Sequence, residues 1–534
     1  MTLFAVSRGT DGTDDDRLQA VAVEGAGAVV AAGTSYGDAF VWKRTAEGTT
    51  LWAVRGGGTG NDQMNGVAVD GAGAVVAAGY FQSSTATFGS VALTRAGSYN
   101  AVVWKLSAEG TTLWAVRGGG TLEDDLNGVA VDGAGAVVAA GHFRSSLVTF
   151  GDVALNSAGG LDAMVWKMSF EGTTLWAVRG GGTNSDYMNG VAVDGAGAVV
   201  AAGNVRSPPA TFGDVALTSA WGVGAVLWKL SAEGTTLWAV CGGGTSTEEL
   251  TGVAVDGAGA VVAAGVFKRS PATFGGVALT PAGSSDAFVW KVSAEGTTWW
   301  AVRGGGSGSD YLIGVAVDAT NAVVAAGYSL SLRATFGGLT LTTAGSGDAV
   351  VWKVSDEGTT LWAVRGGGSN ADELTGVAVV TTGAVVAAGY FNSSLATFGG
   401  VALTCTRSGD AMLLWNVRAW DSFSNSTNAW LGFVVLCRRR RPRLFRSSSI
   451  HARVLILRST PTYLQLYRLP VLAVGGHHAA SVDGAGRARG WQWMARVPAI
   501  GGGGWRGGHG GRGVLRRQLP GDIRGRGTDQ RWGR

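Results

Sequence analysis

Seven acidic residues, Asp16, Asp62, Asp124, Asp186, Glu248, Asp310 and Asp372, recur along the chain. Each stands eight residues before a second recurring position, held by Glu24, Asp70, Asp132, Asp194, Asp256, Asp318 and Val380. Carboxylates repeated at a fixed interval can do two kinds of chemistry. Gathered around an axis they attract Ca²⁺ or a cationic ligand. Held each in its own loop, they accept backbone N–H bonds and fix a chain crossing. A calcium ion prefers about 6–8 oxygens, which one carboxylate per repeat does not supply, so the second use carries more weight. The seven acids are retained as the candidate ligand-binding set, with no cofactor expected and Ca²⁺ as the less favoured occupant.

Other reactive types are scarce or repetitive. Within residues 1–416 the only histidine is His142, read as part of a variable loop, so a Ser-His-Asp or Cys-His set cannot form there. Carboxylate-pair chemistry rests only on Asp14-Asp15-Asp16 and Glu123-Asp124-Asp125. Cys241, Cys405 and Cys437 share neither a repeating position nor a zinc-ligand spacing. Lys43, Lys105, Lys167, Lys229, Lys291 and Lys353 return once per repeat, as do Arg55, Arg117, Arg179, Arg303 and Arg365, with Cys241 breaking the second series. Both read as structural, with lysine stems packed on indoles, and the tryptophan pairs read as packing in preference to sugar-stacking platforms. No catalytic or metal-binding residue is assigned, and the chain reads as non-enzymatic.

These positions are set by a repeat. Trp52, Trp114, Trp176, Trp238, Trp300 and Trp362 fall 62 residues apart every time, which marks one stacked structural unit. Each copy holds four short runs, GVAVD, AVVAAG, DAFVWK and TLWAVR, rich in Val, Ala and Trp and bounded by Gly, Asp or Ser. The runs are apolar on both faces, as strands packed between two neighbouring sheets must be. The predicted fold is all-β: a β-propeller of about seven four-stranded blades, GVAVD innermost and LWAVR outermost. Residues 3–9, a degraded LWAVRGG, are expected to pair with the strand around Trp415 and close the last blade, hiding a sheet edge. An additional TFGxVALT run, absent from the first copy, reads as a decoration outside the core strands.

At GVAVD, VVAAG, DAFVWKLSAEG and LWAVRGGG the chain resembles the SBBP-type β-propeller repeats over residues 2–416. The resemblance implies a repeat protein often found outside cells or on surfaces, with no shared catalytic residues. VAAG replaces the family's more polar VTG, and the long period is a further departure.

Charge divides the chain. Residues 1–416 hold 21 Lys+Arg against 34 Asp+Glu, and residues 417–534 hold 21 against 4. An acidic propeller argues against nucleic acid as its partner. The Arg/Gly-rich 417–534 segment is expected to be an irregular, disordered tail, with its final part a further repeat read out of frame. Shifted by one nucleotide, codons permitted for Gly521 to Gly533 spell ATFGDVALTSAGG, which matches Ala210 to Ala220. The domains are therefore read as 1–416, propeller, and 417–534, tail. The opening residues lack the basic and apolar regions of a signal peptide, and no run of about 18 apolar residues suggests a membrane span. Surface or extracellular placement follows from the resemblance alone, should sequence upstream have been lost.

The turns DGAG and AEGT barely change between copies, whereas the loops leading into GVAVD read TGNDQMN, TLEDDLN, TNSDYMN, TSTEELT, SGSDYLI and SNADELT. Variation within one molecule marks the rim free to acquire specificity. The expected function is a monomeric binding or surface-interaction scaffold for an unknown protein or glycan ligand. The alternatives are a carbohydrate-active or metal-dependent enzyme, which would show an asymmetric cluster of acids and aromatics at the channel mouth, and a defective fragment of a longer repeat protein.

Overall fold

The computed structural model describes residues 2–6, 17–25, 27–207, 209–218, 223–268, 270–398, 401–404, 410–415, 430–436, 453–460 and 463–469. Met1–Val474 forms one compact unit; the second, Gly475–Arg534, lies wholly outside the described residues, as does the reading of 501–534 as a shifted repeat.

Among the described residues every regular element is a strand. The second copy shows the pattern: an inner strand Asp62–Val69, a second Val75–Phe81, a third Asn100–Leu106 and an outer Thr112–Gly119, all antiparallel. The middle two strands are buried almost throughout because both faces meet a neighbouring blade. Val75, Ala77, Val102 and Trp104 pack against Val30, Ala32 and Val41 of the first blade. Val76, Ala78, Ala101 and Val103 pack against Val137, Ala139, Met164 and Trp166 of the third. This two-sided burial is what the non-alternating runs encode.

The chain is a β-propeller, but the expected seven four-stranded blades are corrected to six. Between the sixth blade and the first stands a three-stranded sheet, Asp372–Val379, Val385–Phe391 and Asp410–Trp415. The ring closes by packing of faces. Val386 and Ala388 share a core with Leu18, Val21, Val29 and Ala31, and the Thr375 hydroxyl donates to the Leu18 carbonyl at 2.8 Å.

The expected closure by the N-terminal segment holds in placement: Thr2–Val6 lies alongside Asp410–Trp415, the last strand of the three-stranded sheet. The strand Thr2–Val6 pairs in parallel with Trp430–Leu436, Phe4 opposite Val434, in a sheet that continues through Arg453–Thr460 and Tyr463–Leu469. Residues 7–9 lie outside the described set. WLGFVVL offers an apolar edge as long as a blade strand, and Thr2–Val6 takes it in hydrogen-bonded pairing while lying beside the strand that ends at Trp415. The expectation that the tail is irregular fails for these same three segments, which are strands.

The TFGxVALT decoration is a hairpin that crosses to the preceding blade. Leu147–Phe150 and Val153–Asn156 arise in the third copy, yet Phe150 and Thr149 pair with Gly118 and Gly119 of the second blade's outer strand. The Phe150 ring then sits 5.0 Å from Trp166. A Cβ on Gly118 would lie 2.2 Å from the Phe150 ring. Gly118→Ala is therefore expected to destabilise the propeller by about 1–3 kcal/mol through overpacking, read as a lowered midpoint in chemical unfolding.

Candidate functional site

The two rims are built for different work. On the constant rim each blade is tied to the next by a lysine, an acid and a tryptophan. Lys229 Nζ lies 3.0 Å from Asp194 Oδ2, with both side chains nearly buried, and donates at 3.3 Å to the Ala294 carbonyl in the following copy's AEGT turn. Trp238 Nε1 donates to that same carbonyl at 2.9 Å. Lys43, Lys105, Lys167 and Lys291 pair equivalently with Glu24, Asp70, Asp132 and Asp256. Trp52 closes over Gly110, whose φ of +85° and whose missing Cβ, 2.7 Å from the indole, leave no room for a side chain.

On the variable rim the structure places six of the seven candidate acids, Asp16 lying outside the described residues. Asp62, Asp124, Asp186, Glu248, Asp310 and Asp372 are all fully buried. Asp62 accepts from the amides of Gly58, Gln82 and Ser83 and from the Ser83 hydroxyl, and Asp372 repeats the set with Gly368, Asn392 and Ser393. Each acid thus ties its own loop to its own blade, and the six are not brought together. Burial raises the carboxyls of Asp124 and Asp186, and pushes Glu248 up to about 7. Among the described residues no three His, Cys, Asp or Glu side chains converge as metal ligands.

What faces the channel mouth is the residue after each acid. Gln63, Asp125, Tyr187, Glu249, Tyr311, Glu373 and Arg17 stand on the seven inner strands, opposite Tyr80, His142, Asn204, Val266, Tyr328, Tyr390 and Thr34 on the second strands. Pairs join across the blades. The rings of His142 and Tyr187 lie 4.9 Å apart, and the Arg17 guanidinium sits 5.3 Å over the Tyr390 ring. Within the sixth blade Tyr311 stacks on Tyr328 at 5.0 Å. One layer deeper, Asn65 donates to Asp125 Oδ1 at 3.0 Å and Asn189 to Glu249 Oε1 at 3.0 Å, orienting both carboxyls.

The belt is asymmetric. Burial pushes the Asp125 carboxyl up to about 8 against hydrogen bonds from Leu126 and Asn65, and it pushes the His142 imidazole down to about 4. Tyr99, whose ring lies 5.0 Å from Tyr80, is raised to about 12 by burial and by Glu123 and Asp125. Tyr390 is raised by burial and by its hydrogen bond with Glu373. His142 lies on a strand, which corrects its reading as a loop residue. The belt was missed because attention fell on the repeating acid; its signal lay in the following position, which changes in character from copy to copy.

No family model matches the chain. A stretch of 256 residues is 26% identical to the regulatory protein FlaEY of Caulobacter vibrioides, taking in 44% of this chain and 26% of that protein. A stretch of 135 residues is 25% identical to an uncharacterized WD repeat-containing protein of Acanthamoeba polyphaga mimivirus, taking in 24% of this chain and 10% of that protein. The chain thus spans about a quarter and a tenth of the curated relatives it matches. Among solved structures it is similar to the WD40 β-propeller domain of Doa1, with TM-score 0.42 and 10% identity over 78% of this chain and 97% of that one. It is similar also to a protein from Lactobacillus plantarum, with TM-score 0.38 and 12% identity over 65% and 84%.

Proposed function

We propose that residues 1–416 are a non-enzymatic propeller of the SBBP repeat type that acts as a binding or surface-interaction scaffold through its variable rim. The observation that carries this reading is the division of labour between the rims. The constant rim uses its charges in joints between blades, whereas the belt at the mouth presents five residue types over its seven inner strands, in an order that no rotation of the ring reproduces. A partner reading that belt meets it in one orientation only, as specific recognition requires. The acids behind the belt, Asp62 to Asp372, serve the scaffold by holding the loops that present it.

The test exchanges rim loops while keeping those acids. Replacing TLEDDLN (121–127) and TNSDYMN (183–189) by TGNDQMN is expected to leave the unfolding midpoint unchanged. It is expected to weaken a purified partner, found by cross-linking and titrated against both proteins, at least tenfold. Unchanged affinity would refute the reading. The asymmetry of the belt also suits the alternative of a carbohydrate-active site, with Asp125 retaining its proton at neutral pH as an acid; hydrolysis of a glycan panel, abolished by Asp125→Asn, would favour that alternative. For residues 501–534 we propose a further repeat read out of frame, which sequencing the transcript across codons 410–534 decides.

A further inference from the structure

We infer that the Asp125 side of the channel mouth is a cation slot that receives the lysine or arginine side chain of a basic partner segment. The inference rests on the variable rim being the working face, and it names what that face recognises.

The belt itself shows how a cation is held there. Next to Glu373, on the closure side of the ring, the Arg17 guanidinium covers the face of Tyr390, a ring hydrogen-bonded to that same carboxylate. Acid, aromatic face and cation are all present. On the opposite side Asp125 is bordered by the same kinds of group: Tyr80 with the tilted ring of Tyr99 at 5.0 Å on one flank, His142 with Tyr187 at 4.9 Å on the other. Here, among the described residues, no arginine or lysine is paired with the Asp125 carboxyl. Arg144 is engaged with Glu123 at 2.9 Å, Arg206 lies over Tyr187 at 5.6 Å on the far side of His142, and Arg95 donates to the carbonyls of Gln82 and Ser98.

Two further observations point to an occupant. His142 Nδ1 is buried with no hydrogen-bond partner, on the residue directly across the ladder from Asp125. Among the described residues Asn65 is the one side chain that donates to the Asp125 carboxyl. An ammonium or guanidinium entering between the tyrosines displaces the proton that burial keeps on Asp125 and meets the resulting carboxylate, an imidazole acceptor and ring faces at once, the combination that binds organic cations in a partly desolvated site. On the inner strands the belt sets three acids, Asp125, Glu249 and Glu373, against one basic residue, Arg17.

The experiment titrates tetralysine and, as an uncharged control, tetraserine into the full chain by calorimetry. Four proteins are compared: wild type, Asp125→Asn, Tyr80→Leu and Asp152→Asn. The last removes one negative charge from the exposed hairpin turn and so controls for net charge. Tetralysine is expected to bind wild type and Asp152→Asn alike, at least tenfold more weakly to Asp125→Asn and Tyr80→Leu, with no binding of tetraserine. Equal loss in Asp125→Asn and Asp152→Asn would reduce the effect to overall charge and overturn the inference, as would absence of tetralysine binding to wild type. Thermal unfolding of each variant identifies any that fail to fold, and Asp125→Glu, which keeps the charge, is then expected to retain binding. Should the loop exchange abolish partner binding while Asp125→Asn leaves tetralysine binding intact, the scaffold reading stands and the cation slot falls.

Discussion

Asp194→Val is expected to destabilise the propeller by about 3–5 kcal/mol, the cost of leaving a buried charge without its partner. Adding Lys229→Asn is expected to recover a large part of that loss. The chain contains its own precedent. In the last copy the acid is Val380 and the residue at the lysine's place is Asn416, so both charges are absent together. The turn survives the change: the Val380 amide still donates to Ala384 at 2.9 Å and the Gly383 amide to Val380 at 2.8 Å, as the Asp194 turn does with Ala198 and Gly197. Asp194 adds a carboxylate that accepts from Ala196 and Ala198 and faces Lys229 at 3.0 Å, and Lys229 in turn reaches the next blade. Removing one member strands the other. Removing both leaves a joint that the seventh sheet already uses. Urea unfolding of the two single variants and the double gives the coupling directly. A double variant as unstable as the sum of its singles would mean that the pair is not the joint.

How much of this was legible depends on what repeats. The period, the four runs and their two-sided burial are properties of every copy, and Val75–Phe81 or Asp162–Met168 lie where GVAVD, VVAAG and DAFVWK place them. The lysine–acid joint was equally periodic but hidden by distance: Asp194 and Lys229 are brought together only by strand pairing, and the sequence showed each as a lone series. The closure was legible in part, because the N-terminal strand has two neighbours and only one of them repeats. Thr2–Val6 resembles an outer strand and lies beside Asp410–Trp415 as that resemblance places it, but nothing local says that it also pairs with Trp430–Leu436 or that Leu18 and Val386 close the ring by their faces. The belt was illegible for the opposite reason. Gln63, Asp125, Tyr187 and Glu249 have no common type, and a reading that looks for recurrence passes over the positions where recurrence stops.

Stability is expected to fall as pH rises above the ordinary carboxylate range, and Asp286→Asn with Asp348→Asn is expected to flatten that fall. Beside the acids of the variable rim lies a second series at the start of the third strands: Asp38, Asn100, Asp162, Gly224, Asp286, Asp348 and Asp410. Asn100 shows what the place demands. Its Oδ1 accepts from the Ala96 amide at 2.7 Å, while its Nδ2 donates to Asp124 Oδ2 at 3.3 Å and to the Gly120 carbonyl at 3.0 Å. In Asp348 one oxygen accepts from the Ala344 amide at 2.7 Å and meets Arg365, but Oδ1, buried, has no partner; Asp286 Oδ1 is likewise bare. Each bare oxygen lies, like Asn100 Nδ2, against the glycine that also touches the neighbouring ring acid, Gly367 with Asp372 and Gly305 with Asp310. A donor belongs there, and an aspartate supplies one only when protonated. The carboxyls of Asp286 and Asp348 are accordingly raised, first by burial and further by the Asp310 and Asp372 charges, with Arg303 and Arg365 opposing. The folded state then binds more protons than the unfolded chain, so this stabilisation is complete below the unfolded carboxylate range, about pH 4, and is lost as pH rises through the raised values. Asp132 and Asp318 run the other way: burial would raise them, but Lys167 and Lys353 hold them lowered, so their contribution is lost as pH falls. The two trends set a maximum. Asparagine at 286 and 348 keeps the donor at every pH, so the variant's unfolding midpoint should stay nearer its maximum as pH rises above the ordinary carboxylate range while the wild type declines. Parallel declines in the two proteins would show that these oxygens share no proton.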